Sequence, residues 1–446
     1  MAISYRPYEP QQQMLLPASL QDWLPLGHLA YFISDTVDAL NLSAFYKRYA
    51  GGGARNQPFH PAMMVKLLVY GYATGVFSSR QMQRKLHEDL AFRMLGADNF
   101  PKHRTIRDFR ALHLTALSEL FVQVVCMARE LGLVKLGTVT VDGTKVQADA
   151  SRHKAMSFGR MQQTQAELKV QIEALLERAK TTDEAEEGTP ELDIPAEIVR
   201  REVRLVAITQ ARERLEKRQR DADAALGRSA GDERRPHNAD GKATGGRYAR
   251  EFGVPKDGDQ ENFTDPECRI MKQATGGFNT GYNGQLAVDA KAHIIIAAEL
   301  SHHANDVGEL LVMVQAIKDN LGQAPEQLLA DAGYKSEAVF KHFVESEADI
   351  DLVVALGREG KRGAPIDAAT HPHTAAMAAK MQTTEGREAY RKRKWLAEPP
   401  NGWIKSVLGF RQFSLRGLQK AQAEWKLVCL ALNLRRMGAM SAMKTA

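Results

Sequence analysis

Two short apolar runs that each end in an aspartate set the strongest limit on this chain. The first is Thr138-Val139-Thr140-Val141-Asp142, followed by Gly143. The second is Gln327-Leu328-Leu329-Ala330-Asp331. β-Branched and aliphatic residues in runs this short suit buried strands better than helices. A carboxylate at the end of such a strand is costly unless it is exposed, paired or bound to a cation. Two readings of the first run are open. Asp142-Gly143 is a strong turn dipeptide, with a second short strand-like run after it. The alternative is a carboxylate that meets acidic residues from later in the chain.

The later chain has the order to bring them together. Residues 281–289 and 294–300 read as an antiparallel hairpin, and a helix follows from Asp306 or Val307. Then come the strand ending in Asp331, a helix over 336–346, a strand over 349–356, a loop over 357–376 and a helical remainder. Three strands, a helix, a strand, a helix, a strand and a final helix describe a mixed sheet. In open α/β sheets, sites gather at the C-terminal ends of strands, where both aspartates are expected. The last helix adds Glu398, with basic residues before it and Lys405 seven positions later, two helical turns away on roughly the same face.

The N-terminal part is expected to be helical over residues 11–130. A run of three glycines at 51–53 breaks it, and residues 60–72 form a nearly all-apolar, buried helix. Ser78 and Gln81 have capping-box spacing, and Thr105 with Asp108 marks the start of a further helix. The outer faces of these two helices would carry Arg80 and Arg84, and Arg104, Arg107 and Arg110. A helix-turn-helix-like DNA-binding unit and a small bundle with an ordinary solvated face both fit this pattern.

Between the first strand and the hairpin the character changes. Leu168, Ile172, Leu175 and Ala179 repeat at helical spacing, as do Ile198, Leu205, Ile208 and Leu215. An acidic, Pro-bearing stretch over 181–195 separates them, so an antiparallel helical hairpin with a coiled-coil-like seam is expected. Residues 227–262 are Gly-rich and charged with few apolar anchors and read as a flexible linker. The expected domains are therefore 1–132 (helical, DNA-binding), 133–156 with 263–436 (catalytic sheet), 157–226 (hairpin insertion), 227–262 (linker) and 437–446 (tail).

Composition narrows the function classes. With 446 residues, two or three domains are expected. No stretch reaches the roughly 18 apolar residues of a membrane span. The N-terminus lacks a signal-peptide core, so no membrane partner and a cytoplasmic location are expected. Cys126, Cys268 and Cys429 are far apart and odd in number, as for buried thiols in a reducing compartment. A net charge of +6 allows a polyanionic partner without requiring one. Asp289 reads as a hairpin-turn residue, and the histidines at 302, 303, 371 and 373 as surface or structural groups.

Taken together, these stretches resemble the DDE transposases of bacterial insertion sequences, in the branch with a Tyr-Arg-Glu-Lys signature around the glutamate. The match is carried by residues 141–145, 281–289 and 331–336, and by Glu398 with Lys405. The tail over 409–434 and the helical stretch from His60 to Phe109 are also similar to the family. One departure concerns the signature: Tyr390 stands eight residues before Glu398 rather than seven, and Lys394 occupies the place of the Arg, with Arg393 beside it.

The resemblance implies an α/β fold: an RNase H-like mixed sheet with flanking helices, interrupted by a helical-hairpin insertion and preceded by an all-α N-terminal domain. It implies Asp142, Asp331 and Glu398 as the catalytic carboxylates holding two Mg²⁺ or Mn²⁺ ions, which clamp attacking and leaving oxygens of a phosphodiester. It further implies terminal inverted repeats and target DNA as double-stranded partners, with Arg393, Lys394 and Lys405 holding the phosphate backbone beside Glu398. The basic helix faces add Arg80, Arg84, Arg104 and Arg107 as candidate phosphate contacts, and Tyr334 is open between stacking on a base and packing at the strand end. A homodimer in the DNA complex is expected, since two element ends must be held together. Two other classes remain beside this reading: a transposase-derived DNA-binding protein that no longer catalyses, and an unrelated metal-dependent nuclease on the same fold.

Overall fold

The computed structural model of the chain describes residues 19–49, 57–184, 194–231, 246–273, 276–347, 349–357 and 366–445. The glycines at 51–53 and most of the acidic stretch between the hairpin helices lie outside the described residues. Seven helices come first: α1 (Leu29–Ala39), α2 (Ser43–Lys47), α3 (Pro61–Ala73), α4 (Ser79–Glu88), α5 (Leu90–Leu95), α6 (His103–Leu112) and α7 (Leu114–Glu130). Pro61 at the first position presets the helical φ of α3, and all but one of its residues are buried, as its apolar sequence requires.

Three local expectations in this region are corrected. Ser78 makes no side-chain cap bond. The second basic helix begins at His103, before Thr105, because the Gln83 Oε1 of α4 accepts from the His103 N–H at 2.7 Å and so caps it from outside. Arg110 does not join the exposed basic face. It is buried, donating to the Tyr72 hydroxyl at 2.7 Å, while that hydroxyl donates to Glu424 Oε1 at 2.7 Å.

The sheet follows. Its strands are β1 (Thr138–Gln147), β4 (Arg269–Lys272), β5 (Phe278–Asp289), β6 (Ile295–Ser301), β7 (Gln327–Ala330) and β8 (Asp351–Val354). A separate short pair, β2 (Ala155–Ser157) with β3 (Gln260–Asn262), lies at the base of the insertion. The order is β4-β5-β1-β7-β8, with β6 also on β5. β5 is antiparallel to β1 and β6, whereas β1, β7 and β8 are parallel. Antiparallel β4, β6, β5 and β1 leading into the parallel β7 and β8 form the expected RNase H-like mixed sheet. Helices α10 (Glu309–Leu321), α11 (Glu337–Ser346), α12 (Pro372–Lys380), α13 (Thr384–Gly402) and α14 (Leu418–Thr445) complete the chain around it.

The turn reading of Asp142-Gly143 is wrong. β1 runs straight through the dipeptide, and β5 pairs with it from Val139 to Gln147. A hairpin at Gly143 would forfeit the second half of that ladder. Asp142 therefore sits in mid-strand rather than at a strand end, while Asp331 directly follows the last residue of β7, as expected. Asp289 does act as a turn carboxylate, accepting from the backbone N–H groups of Lys135, Leu136 and Lys291.

The insertion loops out as helices α8 (Phe158–Glu184) and α9 (Ile194–Ala225), leaving the sheet intact. Leu168 packs with Ile208 and Leu215 of the predicted seam, joined by Phe158, Met161 and Ala211. The stretch that reads as a flexible linker is held to this hairpin where it is described. Glu261 on β3 is buried and takes salt bridges from Arg214 and Arg218 of α9. Among the described residues no single helix is long and apolar enough to cross a membrane; α6 and α7 pass such a test only as a pair bent by 72°.

Candidate active site

Strand register decides where the two aspartates meet. β1 and β7 are parallel with Thr138 beside Gln327, Val139 beside Leu328 and Thr140 beside Leu329. Continuing that register by two residues places Asp142 beside Asp331, one strand spacing of about 4.8 Å apart. Both carboxylates reach the same guanidinium nitrogen. Arg393 Nη2 lies 3.1 Å from Asp142 Oδ1 and 3.2 Å from Asp331 Oδ2.

Arg393 comes from α13, which also supplies Asn401. The Asn401 Nδ2 donates to Asp142 Oδ2 at 2.7 Å, and its Oδ1 is buried without a partner. Arg393, Ala397 and Asn401 are spaced by four residues and share the helix face turned to the sheet. Asp331 Oδ1 accepts from the Gly333 N–H at 2.8 Å and caps the turn after β7. Burial pushes the Asp142 carboxyl up to about 6. The Arg393 guanidinium pulls it down, while Asp331 and Asp306 push it further up. Burial is the largest of these causes, so the raised carboxyl reports desolvation first.

A third carboxylate near the pair is Asp306, which the sequence marks only as the start of a helix. It lies in the loop between β6 and α10 and accepts from Asn283 Nδ2 at 2.7 Å and Gln285 Nε2 at 2.8 Å. Lys145 Nζ stands 3.4 Å away. The available signal is the polar run 302–306 between a strand and a helix, which has no local feature marking it as part of a site.

Glu398 does not join the cluster. It is exposed, and among the described residues no set of three His, Cys, Asp or Glu side chains is gathered to hold a metal. The expected common face of Glu398 and Lys405 is also not kept. Pro399 and Pro400 remove two helical N–H donors, and the chain passes into a π-turn over Trp403–Val407. That wider turn changes the phase, so Lys405 reaches β1 and donates to the Lys145 carbonyl at 2.9 Å.

The remaining predicted contacts separate clearly. Of the neighbouring bases, Arg393 turns inward and Lys394 is exposed. Tyr334 is buried, with its hydroxyl donating to Gln285 Oε1, so its role is packing and it has no face for a DNA base. Arg80, Arg84, Arg104 and Arg107 are all exposed on α4 and α6, and Arg107 is paired with Asp108 at 2.7 Å. His303 bonds Glu309, and the His373 N–H donates to Glu337, consistent with structural roles.

A divalent cation can be tested against these groups. Asp142 and Asp331 offer hard carboxylate oxygens, and Asn401 Oδ1 is a buried acceptor with nothing to accept from. The shared Arg393 nitrogen already occupies a bridging position between the carboxylates, as a cation would. Hard oxygen donors of this kind fit Mg²⁺ or Mn²⁺ rather than a softer metal.

Comparison with known families agrees with this architecture. Residues 18–112 match the family described as Transposase domain (DUF772), which covers the helical region from before α1 to the end of α6. Residues 252–434 match the family described as Transposase DDE domain, which contains Asp306, Asp331, Arg393, Glu398, Asn401 and Lys405. Asp142 lies between the two matched segments, on the strand that pairs with β5 and β7 inside the second. No curated protein and no solved structure gives a match. The two segments together make up more than half of the chain, in the order of an insertion-sequence enzyme. The chain belongs to the DDE transposases, which cleave DNA and transfer its strands.

Proposed function

We propose that Asp142, Asp331 and Glu398 form the acidic set of this transposase, and that it acts on the terminal inverted repeats of its element and on target DNA. The observation that carries the reading is the Arg393 nitrogen shared by Asp142 and Asp331 on neighbouring parallel strands. α13 reaches both aspartates through Arg393 and Asn401, and Glu398 lies between those two residues in sequence, on the solvent side. Its exposure leaves its carboxylate free to take a share of a cation that arrives with the substrate. Both aspartates and the glutamate are present, which favours an active enzyme over an inactive derivative.

Asp142 and Asp331, with Asn401 Oδ1, would hold two Mg²⁺ or Mn²⁺ ions. When bound, such ions activate a nucleophile and stabilise a leaving oxygen in phosphodiester chemistry. The protein's own groups do the rest. Arg393 neutralises the carboxylates while the site is empty of substrate and is placed to turn to a phosphate oxygen. Lys405 and Lys145 add positive charge along β1, and the exposed Lys394, next to Arg393 in sequence, would contact the DNA backbone. Arg80, Arg84, Arg104 and Arg107 supply phosphate contacts from the N-terminal helices.

A homodimer holds two element ends together in this reading, and the exposed Val199, Val203 and Val206 on one face of α9 support a second copy at the hairpin. The setting is the cytoplasm, at the nucleoid, where the DNA substrate lies. The test is cleavage of DNA carrying the inverted repeats that flank the encoding gene, with Mg²⁺ or Mn²⁺. Glu398→Gln should lower cleavage by roughly 100-fold or more while DNA binding persists. Wild-type cleavage by that variant would remove Glu398 from the set.

A further inference from the structure

Each site aspartate is followed closely by a glycine, Gly143 after Asp142 and Gly333 two residues after Asp331, and one side chain explains both. A Cβ at Gly143 would lie 2.5 Å from Asp306 Oδ1 and 2.8 Å from Gln285 Nε2. A Cβ at Gly333 would lie 3.1 Å from Asp306 Oδ2 and 2.9 Å from Asp331 Oδ1. Neither glycine has a positive φ, so backbone freedom is not the reason for either. The Asp306 carboxylate fills the space both side chains would need, with one oxygen against β1 and the other against the turn after β7.

The same carboxylate is held from three sides. Asn283 and Gln285 of β5 donate to Oδ1, and Lys145 of β1 faces it. Gln285 is fully buried, and its Oε1 accepts from Tyr334, which follows Gly333. Asp306 therefore links β1, β5 and the Asp331 turn at the level of the two aspartates. Its place in a loop before α10, far from either aspartate in sequence, hides this.

We propose that Asp306 is a positioning residue of the active site: its carboxylate wedges between Gly143 and Gly333, fixes the spacing of Asp142 and Asp331, and adds the negative charge that draws divalent cations to them. This rests on the reading of Asp142 and Asp331 as the cation-holding pair. Carboxylates that orient metal-holding groups typically change metal affinity by about 10–100-fold when removed.

The experiment measures Mn²⁺ affinity by the electron paramagnetic resonance signal of free Mn²⁺, in the full-length protein without DNA, beside melting temperature and inverted-repeat binding. Asp306→Asn should weaken Mn²⁺ binding by about 10–100-fold. Cleavage should recover as Mn²⁺ is raised, and DNA binding should stay unchanged. Gly143→Ala, which displaces the same carboxylate without removing a charge, should weaken Mn²⁺ binding in the same direction. A loss of cleavage that added Mn²⁺ does not restore, or wild-type Mn²⁺ affinity in either folded variant, would overturn the proposal. Asp142→Asn separates the two levels. If it leaves Mn²⁺ binding intact, the site reading itself fails; if it abolishes binding while Asp306→Asn does not, only the role of Asp306 fails.

Discussion

Two of the molecule's arginine–carboxylate clusters are built for opposite ends. In the first, Arg110 of α6 and Tyr72 of α3 meet Glu424 of α14, tying the N-terminal helices to the last helix. Glu424 is 1% exposed, and both its oxygens are filled. Oε1 accepts from Tyr72 and the Ser414 hydroxyl, and Oε2 from the backbone N–H groups of Ser414 and Leu415. In the second, one Arg393 nitrogen is divided between Asp142 and Asp331, and Asn401 Oδ1 has no partner; the arginine Nε is unbonded in both clusters, on Arg110 as on Arg393. Buried polar groups in proteins are normally satisfied. The cluster that joins the two matched domains has a filled carboxylate with partners of its own, whereas at the sheet two aspartates share one arginine nitrogen and the Asn401 amide oxygen beside them stays open.

The largest effect that can break this contrast is on catalysis. Asp142→Asn and Asp331→Asn should each lower inverted-repeat cleavage by roughly 10⁴-fold or more, with DNA binding retained. Nicking by either variant would show that the sheet cluster is structural after all. Asp142→Asn carries a second signature. Its carboxyl is raised from 3.8 to about 6, so the native state holds the proton more tightly than the unfolded chain. That group's contribution opposes folding increasingly as pH rises from about 4 to 6 and stays at its full cost above. Asp142→Asn should therefore raise the melting temperature at neutral pH, by at most about 3 kcal/mol of stability. A lower melting temperature would mean that its bonds to Arg393 and Asn401 outweigh burial.

Glu424→Ala should do the reverse. It leaves Arg110 buried without its anion, a change that costs about 3–5 kcal/mol, read as a drop in melting temperature. Any decline in cleavage should follow the decline in folded protein. A folded, fully stable Glu424→Ala protein would show that the interdomain cluster contributes little.

A smaller effect sharpens the account of the active cluster. Arg393 lowers the Asp142 carboxyl, so protons should compete with Mn²⁺ as pH falls through about 6 in the wild type. Arg393→Ala removes that pull, and the pH at which Mn²⁺ binding is half-maximal should move upward. A downward move would mean that Arg393 blocks cations more than it shapes the carboxylates.

The smallest expected change lies on the N-terminal surface. Arg80→Ala with Arg84→Ala should reduce the slope of log binding constant against log salt by about 0.9 for each phosphate the protein no longer neutralises. An unchanged slope would make α4 an ordinary solvated face.

Much of this was legible in the chain. Apolar runs ending in Asp142 and Asp331, a hairpin between them and helices after them dictate a mixed sheet, because strand periodicity and element order are local properties. The seam of the insertion, the buried α3 and the turn role of Asp289 are readable for the same reason. What sequence could not supply is phase and approach. Asp142-Gly143 has the chemistry of a turn, yet the long β5 ladder keeps it in a strand. Glu398 and Lys405 have the spacing of one face, yet two prolines and a π-turn separate them. Arg110 reads as an outer base until Glu424, far along the chain, draws it inward. Asp306 has no motif of its own; it becomes part of the site only because β1 and the turn after β7 come together around it. The sequence alone singled out Asp142, Asp331 and Glu398 and the elements that carry them, but not Asp306. Tertiary packing decided which of them come together, since that depends on register and helix phase summed over distant segments.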